Sequence, residues 1–462
     1  MKICIHGHFY QPPREDPFSN YIPDETGAEP FKNWNERILF ECYEPNAKAK
    51  NFEKLSFNVG PTLFNWLADF GPEVSRMIIE QEQENNRRFG VGNGMAQGFN
   101  HLIMPLATLE DKITQVRWGI EDFIYRFGHQ PMGLWLPETA VDLETLSVLS
   151  DNGIKFTILA PWQVIPEKPS RGPFLIDLPG GREPFIVFTY DQELSTQVSF
   201  NPSATVNGDH FLDNLLRTRP DNPDELVLIA SDGELYGHHQ PFRDHFLSYL
   251  MDGAGTRRNI EWTYPAKWLQ EHDITTKAQL EENSSWSCMH GVDRWKQACG
   301  CTPNAAWKAA LREALNQTAA MLDDLYVQTL SPIFPDPWEL RHHYIEVLWG
   351  KRTLQGLCHQ LSGSTLTPTE LNTIQDLLSA QYERQRMFTS CGFFHDEFYR
   401  LEPQNNIAYA AKAVYLTERA TGAELRPVVT DLLKQVQSER TSLRGDTVFS
   451  QTLMRAQAEK AA

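Results

Sequence analysis

Five short apolar segments, each running straight into polar and chemically capable residues, constrain this chain more than any other feature. Ile3-Cys4-Ile5 leads to His6 and His8. Gly133-Leu134-Trp135-Leu136-Pro137 leads to Glu138. Phe156-Thr157-Ile158-Leu159-Ala160 leads to Pro161-Trp162. Phe185-Ile186-Val187-Phe188 leads to Tyr190-Asp191, and Leu226-Val227-Leu228-Ile229-Ala230 leads to Asp232 and Glu234. Continuous apolar runs of about five residues are what parallel strands buried on both faces require. Helical segments at 72–86 and 109–127 lie between some of them. Alternating strands and helices with chemistry at the strand ends predict an α/β fold built as a parallel barrel. An open doubly wound sheet is the alternative, but it gathers polar ends at one switch point.

The grammar changes after residue 300. Segments 304–329, 337–361, 368–388, 405–421 and 425–438 all read as helices. Thr367-Pro368-Thr369-Glu370 supplies an N-cap, a first-turn proline and a capping-box glutamate, and Asp336-Pro337 repeats the device. The predicted division is therefore an α/β domain over 1–300, an all-helical domain over 301–440 and a frayed polar tail over 441–462. A barrel alone takes about 250 residues, so two domains fit 462.

Several functions are excluded early. The formal charge of -18 argues against a nucleic-acid partner and against an anionic membrane surface, both of which call for a basic face. No segment approaches the roughly 20 apolar residues of a membrane helix, and Met1-Lys2-Ile3-Cys4-Ile5 reads as a first strand rather than a secretory leader. Seven cysteines, an odd and sparse set, suit a reducing cytoplasm. Gly90-Val91-Gly92-Asn93-Gly94 lacks the order of a dinucleotide fingerprint, and neither a P-loop nor a nucleophile elbow occurs. Neutral sugars remain compatible with the charge, and 12 tryptophans suggest stacking surfaces as well as core.

The carboxylates Glu138 and Asp232 stand at two strand ends, where a carboxyl must be used or paired. Two facing carboxyls with separated pKa values are the minimal kit for cleaving a glycosidic bond. Helix capping or an arginine partner is the alternative for each. His6 and His8 fall on one side of a strand at period two. They suit sugar contact, a metal site with Asp232 or His238, or a hydrogen-bonded rim. Cys288, His290, Cys299 and Cys301 are the right donor types for zinc, in a spacing that matches no standard knuckle. A redox pair or inert thiols are the alternatives. Trp286 and Trp295, interleaved with Asp293 and Arg294, make a sugar platform or an interdomain plug.

These residues together resemble glycoside hydrolase family 57. His6-Gly7-His8-Phe9-Tyr10-Gln11-Pro12 looks like the first motif, usually the tighter His-x-His-Gln-Pro. Gly98-Phe99-Asn100-His101-Leu102-Ile103-Met104-Pro105 is similar to the second, with His101 at the position that is Glu or His among members. Trp135-Leu136-Pro137-Glu138 resembles the third. Asp232-Gly233-Glu234-Leu235-Tyr236-Gly237-His238 resembles the fourth, and Trp286 to Trp295 lies where the fifth is expected. The resemblance implies an incomplete (β/α)7 barrel followed by a helical C-terminal domain. It implies a retaining enzyme on α-linked glucans, hydrolytic or transferring, with no metal or organic cofactor. Glu138 would be the nucleophile and Asp232 the acid/base, with carboxyls about 5–5.5 Å apart; about 6.5–9.5 Å would mean inversion. His8, His101 and Glu234 would contact the sugar, with Trp135 beside it. His6, Gln11, His238, Trp286 and Trp295 complete the candidate contacts. The stretch Thr389-Ser390-Cys391-Gly392-Phe393-Phe394-His395-Asp396 resembles a subgroup with a helical extension. Two other classes compete: a metal-dependent polysaccharide deacetylase using His6, His8 and Asp232, and a glucan-binding protein with little turnover.

Overall fold

A computed structural model describes residues 1–219, 226–303 and 305–461. Seven parallel strands frame the first half: β1 (Lys2–Phe9), β2 (Ser56–Val59), β3 (Ala96–Gln97), β4 (Leu134–Trp135), β5 (Phe156–Leu159), β6 (Phe185–Thr189) and β7 (Leu226–Asp232). β1 pairs with β2 on one side and β7 on the other, so His8 lies between Asn58 and Asp232 in register. The ring continues through a Phe57–Gly94 bridge, the β3–β4 pair, a Gly133–Phe156 bridge and the β5–β6 pair. Between β6 and β7 the ladder gives way to a bond from Asp191 N–H to the Leu228 carbonyl, 2.7 Å. These seven strands form an incomplete barrel, and a two-residue strand, Glu261–Trp262, pairs parallel with the start of β1. Cys4, Trp135, Ile158, Phe188 and Leu228, from five of the strands, join one buried apolar cluster. That is the reason these segments read as continuous apolar runs.

The five segments singled out in the sequence are all barrel strands. β2 and β3 escaped because their residues break the apolar pattern. Ser56 and Asn58 are buried polar residues in β2, and β3 is two residues long.

The chain forms two compact units. The first comprises 1–11, 24–99 and 122–286; the second comprises 12–23, 100–121 and 287–462. The expected linear cut near 300 is corrected in this respect, because the second unit recruits two segments from the N-terminal half. The reason is visible within that unit. Asp111 is buried between Arg384, at 2.5 Å, and Arg341, at 3.2 Å, and it also accepts from Gln385 Nε2 at 2.7 Å. Burial disfavours the Asp111 charge, but the two guanidiniums hold its pKa down at about 2. A buried charge network of this kind cannot lose one member cheaply, so residues 100–121 stay with the C-terminal helices.

The second unit is helical: Trp307–Leu330, Pro337–Leu348, Leu354–Ser362, Pro368–Arg386, Leu401–Thr421, Arg426–Leu433 and Gly445–Ala461. The Thr367/Glu370 capping box forms, and Asp336 accepts from Trp338 N–H. The predicted helix over 337–361 breaks after Leu348, and the start of the 304–329 prediction, Asn304, lies outside the described residues. The tail is also corrected. Val448, Phe449, Thr452, Leu453 and Ala456 are buried at helical spacing, a stripe masked by the polar residues between them. Among the described residues, no helix is long and apolar enough to cross a membrane.

Candidate active site

The strand ends build the site within the first unit. β4 stops at Trp135 because Pro137 cannot continue a ladder, and the chain turns sharply. Glu138 (φ 56°) and Thr139 (φ 50°) both adopt left-handed backbone, which is costly for residues with a Cβ, most of all for a β-branched one. The surroundings impose it. Gln163 accepts from the Thr139 hydroxyl at 2.7 Å and donates to the Thr139 carbonyl at 2.8 Å. Trp286 N–H donates to the Glu138 carbonyl at 3.1 Å, and its indole Nε1–H donates to Glu138 Oε2 at 3.1 Å. The carboxylate is therefore aimed by a strained turn and fixed by an indole.

Asp232 ends β7 and is its one solvent-exposed residue, whereas Glu234, two residues on, is buried. Asp232 is open to water on one side and crowded by protein on the others. Crowding first, and the charge of Glu138 second, push its pKa up to about 7. Glu234 accepts from Tyr10 N–H at 3.0 Å and from the Tyr43 hydroxyl at 2.7 Å. Burial pushes it up to about 8, the Asp232 charge adds to that, and the Tyr43 hydroxyl only partly offsets it. Gln11 hydrogen-bonds the same hydroxyl and joins the first motif to the fourth. Gly237 (φ 141°) is required here, since a Cβ would lie 2.2 Å from the Glu41 carbonyl oxygen. Glu41 in turn takes His238 Nδ1 at 2.5 Å.

Glu234 makes a stability prediction with a definite sign. Its folded pKa lies far above the unfolded value of about 4.3, so between about pH 4 and 8 the folded state holds a proton that the unfolded chain releases. Stability from this group is present at low pH and lost as pH rises through that window. Glu234→Gln keeps the acceptor oxygen but cannot ionise. Its advantage over the parent should grow by a few kcal/mol (order of magnitude) between pH 5 and pH 9. Thermal unfolding at the two pH values measures this, and an equal offset at both would refute it.

The histidines sit in a buried chain of hydrogen bonds. His6 is buried with Nδ1 on Ser56 Oγ at 2.9 Å and Nε2 on Asn58 Oδ1 at 3.1 Å. Asn58 Nδ2 donates to His8 Nδ1 at 2.9 Å and to Gln97 Oε1 at 2.6 Å. With Asn58 Nδ2 donating to His8 Nδ1, the neutral His8 ring carries its proton on Nε2. Burial lowers both histidines to about 3, with His6 adding to the effect on His8, so both are neutral at ordinary pH. Both rings stack on Trp135, at 4.7 and 5.1 Å, and Trp286 meets Trp135 edge-on at 5.1 Å.

Several expectations change on this evidence. His6 spends both nitrogens internally, on Ser56 and Asn58, and through Asn58 it orients His8. The same bonds remove it from any metal set with His8 and Asp232. Trp135 is fully buried beneath the two imidazoles, so it supports the site from below. Trp295 is fully buried in the second unit, where Arg312 donates to its carbonyl, and is core rather than a sugar platform. His101 also belongs to the second unit, with left-handed backbone (φ 57°) and Nδ1 on Ser390 Oγ at 2.6 Å. Asn58, Tyr43 and Gln163 were missed; the isolated polar residues Ser56 and Asn58 beside Phe57 and Val59 were the one available signal. Tyr190, edge-on to Trp286 at 6.4 Å, also lines a depression of about 610 Å³ with Arg171, Thr189, Asp191 and Arg219.

The family model described as Glycosyl hydrolase family 57 matches residues 5–277, more than half of the chain. The chain belongs to glycosyl hydrolase family 57. Residues 304–461 of this family 57 chain match a domain of unknown function, DUF3536. The 4-alpha-glucanotransferase of Thermococcus litoralis is 22% identical over 264 residues, covering 54% of this chain and 35% of that protein. The alpha-amylase of Pyrococcus furiosus is 22% identical over 263 residues, covering 54% and 36%. The chain thus aligns with about a third of the length of these curated relatives. Among solved structures, an exo-type maltose-forming amylase from Pyrococcus sp. ST04 superposes with TM-score 0.74 at 14% identity, covering 98% of this chain and 88% of the other. A GH57-type branching enzyme from Pyrococcus horikoshii gives 0.59 at 14% identity, covering 98% and 94%. These likenesses establish the fold: an incomplete barrel with a helix-rich C-terminal region.

Proposed function

We propose that this family 57 chain is a retaining enzyme on α-linked glucans that works by double displacement. One observation carries the reading. Glu138 is fixed in a strained turn by Trp286, and its charge reaches Asp232, whose pKa stands at about 7. A fixed carboxylate beside a carboxyl that keeps its proton near neutrality divides the two roles of the reaction. Glu138 attacks the anomeric carbon while Asp232 gives its proton to the leaving oxygen. The glycosyl–Glu138 ester is then opened by water or a sugar hydroxyl, with Asp232 taking the proton back. Neutral His8 and the protonated Glu234 supply hydrogen-bonding groups beside the reacting ring. The depression beyond Tyr190 gives further sugar units room on that flank. A reducing cytoplasm suits the seven thiols.

The relatives are named glucanotransferase, amylase and branching enzyme, and for this chain the acceptor that meets the intermediate, read from the products, decides among transfer, hydrolysis and branching. Incubation with amylose and maltooligosaccharides, followed by chromatography, should give either longer or branched chains, meaning transfer, or short reducing sugars, meaning hydrolysis. The first-formed anomer, read by proton NMR, should keep the substrate's α configuration. No product from any α-glucan, or an initial β anomer, would overturn the reading.

A further inference from the structure

The loop that precedes helix Trp307–Leu330 holds a cluster that the glycosidic chemistry does not use. Cys288, His290, Cys299 and Cys301 each bring one donor atom into a space where all four lie within 4.8 Å of one another. Among the described residues, no other group of three or more His, Cys, Asp or Glu side chains meets that condition. Two separations can be tested against coordination geometry. Cys288 Sγ and Cys299 Sγ are 3.9 Å apart, and Cys301 Sγ and His290 Nδ1 are 3.6 Å apart. A tetrahedral zinc with bonds of about 2.3 Å to sulfur and about 2.0–2.1 Å to nitrogen has S···S edges of about 3.8 Å and S···N edges of about 3.6 Å. A disulfide would need about 2.05 Å, so the sulfurs stand at the spacing of ligands rather than of a bond.

We propose that Cys288, His290, Cys299 and Cys301 bind one zinc ion in a closed structural site of the second unit.

The local backbone serves this arrangement. Thr302 N–H bonds the Cys299 carbonyl at 3.0 Å, and this tight turn sets Cys299 and Cys301 side by side. Gly300, at its tip, lies under the imidazole: a Cβ there would come within 2.8 Å of His290 Cε1. No larger residue at position 300 lets the ring reach Cys301 without a shift. Charge agrees as well. Three thiolates, a neutral imidazole and a divalent cation sum to −1. Lys308 is buried nearby, with its ammonium on the Thr302 hydroxyl at 3.0 Å and the Arg294 carbonyl at 3.1 Å. A cation sequestered among carbonyl and hydroxyl oxygens gains a countercharge when the site fills. Thiolate-rich donors select a soft or borderline ion, and the small mutual span fits one ion rather than a multi-iron cluster, whose ligands must diverge toward separate metals. Four protein ligands leave no open position, which marks a structural rather than a catalytic centre.

The full chain, purified under reductant without added chelator, should carry about one zinc per polypeptide by elemental analysis. Replacing it with cobalt(II) should give the strong visible absorption of tetrahedral coordination together with thiolate charge-transfer bands. Chelation should lower the melting temperature and make three further cysteines reactive to a thiol reagent. Cys299→Ser/Cys301→Ser should lose the metal, whereas Cys391→Ser should keep it. The wild-type cobalt spectrum does not depend on any variant folding. Reduced protein that shows no tetrahedral cobalt spectrum, metal retained by the double variant, or a Cys–Cys bond among these residues in mass spectra would each overturn the site.

Discussion

Glu138→Gln is expected to lower glucan turnover by at least about four orders of magnitude while leaving the fold and sugar binding intact. The amide has the same shape, and its carbonyl oxygen still accepts from the Trp286 indole, so the left-handed turn at 138–139 keeps its anchors. It cannot attack the anomeric carbon to leave a stable ester, so the first displacement fails outright. The loss should appear in kcat for every substrate, including those with good leaving groups, because nucleophilic attack is common to all of them. Dissociation constants for maltooligosaccharides, measured by calorimetry, should change by less than about tenfold. A variant that retained wild-type turnover would move the nucleophile elsewhere. One that lost binding as severely as turnover would make Glu138 a structural carboxylate.

Asp232→Asn should produce the second-largest change and a different signature. In the parent, Asp232 must be protonated to act as an acid, and its pKa is held at about 7 by the protein crowded around it and by Glu138. The alkaline limb of the kcat/KM profile should therefore fall roughly tenfold per pH unit above about pH 8. The Asn variant should lose about 10²- to 10⁴-fold on natural glucans, and the alkaline limb should disappear with it. On an activated substrate, such as an aryl glucoside whose leaving group needs no proton, the glycosylation step should be far less affected. Glu234, held at about 8, is the other group that titrates in this range. A limb near pH 7 that survives in Glu234→Gln and vanishes in Asp232→Asn assigns the acid. An unchanged alkaline limb in Asp232→Asn would refute the assignment.

Much of the candidate site was legible in order but not in state. The apolar runs at 3–5, 133–137, 156–160, 185–188 and 226–230 announced strands buried on both faces, because such strands present no polar side to water. Their polar termini announced the rim. Trp286 was legible as a site aromatic but not as the hydrogen-bond donor to Glu138. Asn58 was illegible, because an asparagine in a short strand reads as a break rather than as the bridge between two histidines. Trp295 and Trp135 were overread, since a tryptophan near a motif looks the same whether it faces sugar or core.

The sequence by itself determined the parallel α/β half, the helical half with its caps at Asp336 and Thr367, and the two strand-end carboxylates. These follow from local pattern: periodicity, a proline where an N–H is not needed, a carboxyl where an apolar strand stops. The tertiary structure alone decided the rest. It attached residues 12–23 and 100–121 to the second unit through contacts such as Asp111 with Arg341 and Arg384. It set Asn58 against His8, raised Asp232 toward 7 and Glu234 toward 8, and drew four zinc-type donors within 4.8 Å. Protonation and coordination depend on distances between residues remote along the chain and on how much water the surrounding protein removes, and no local pattern carries either quantity.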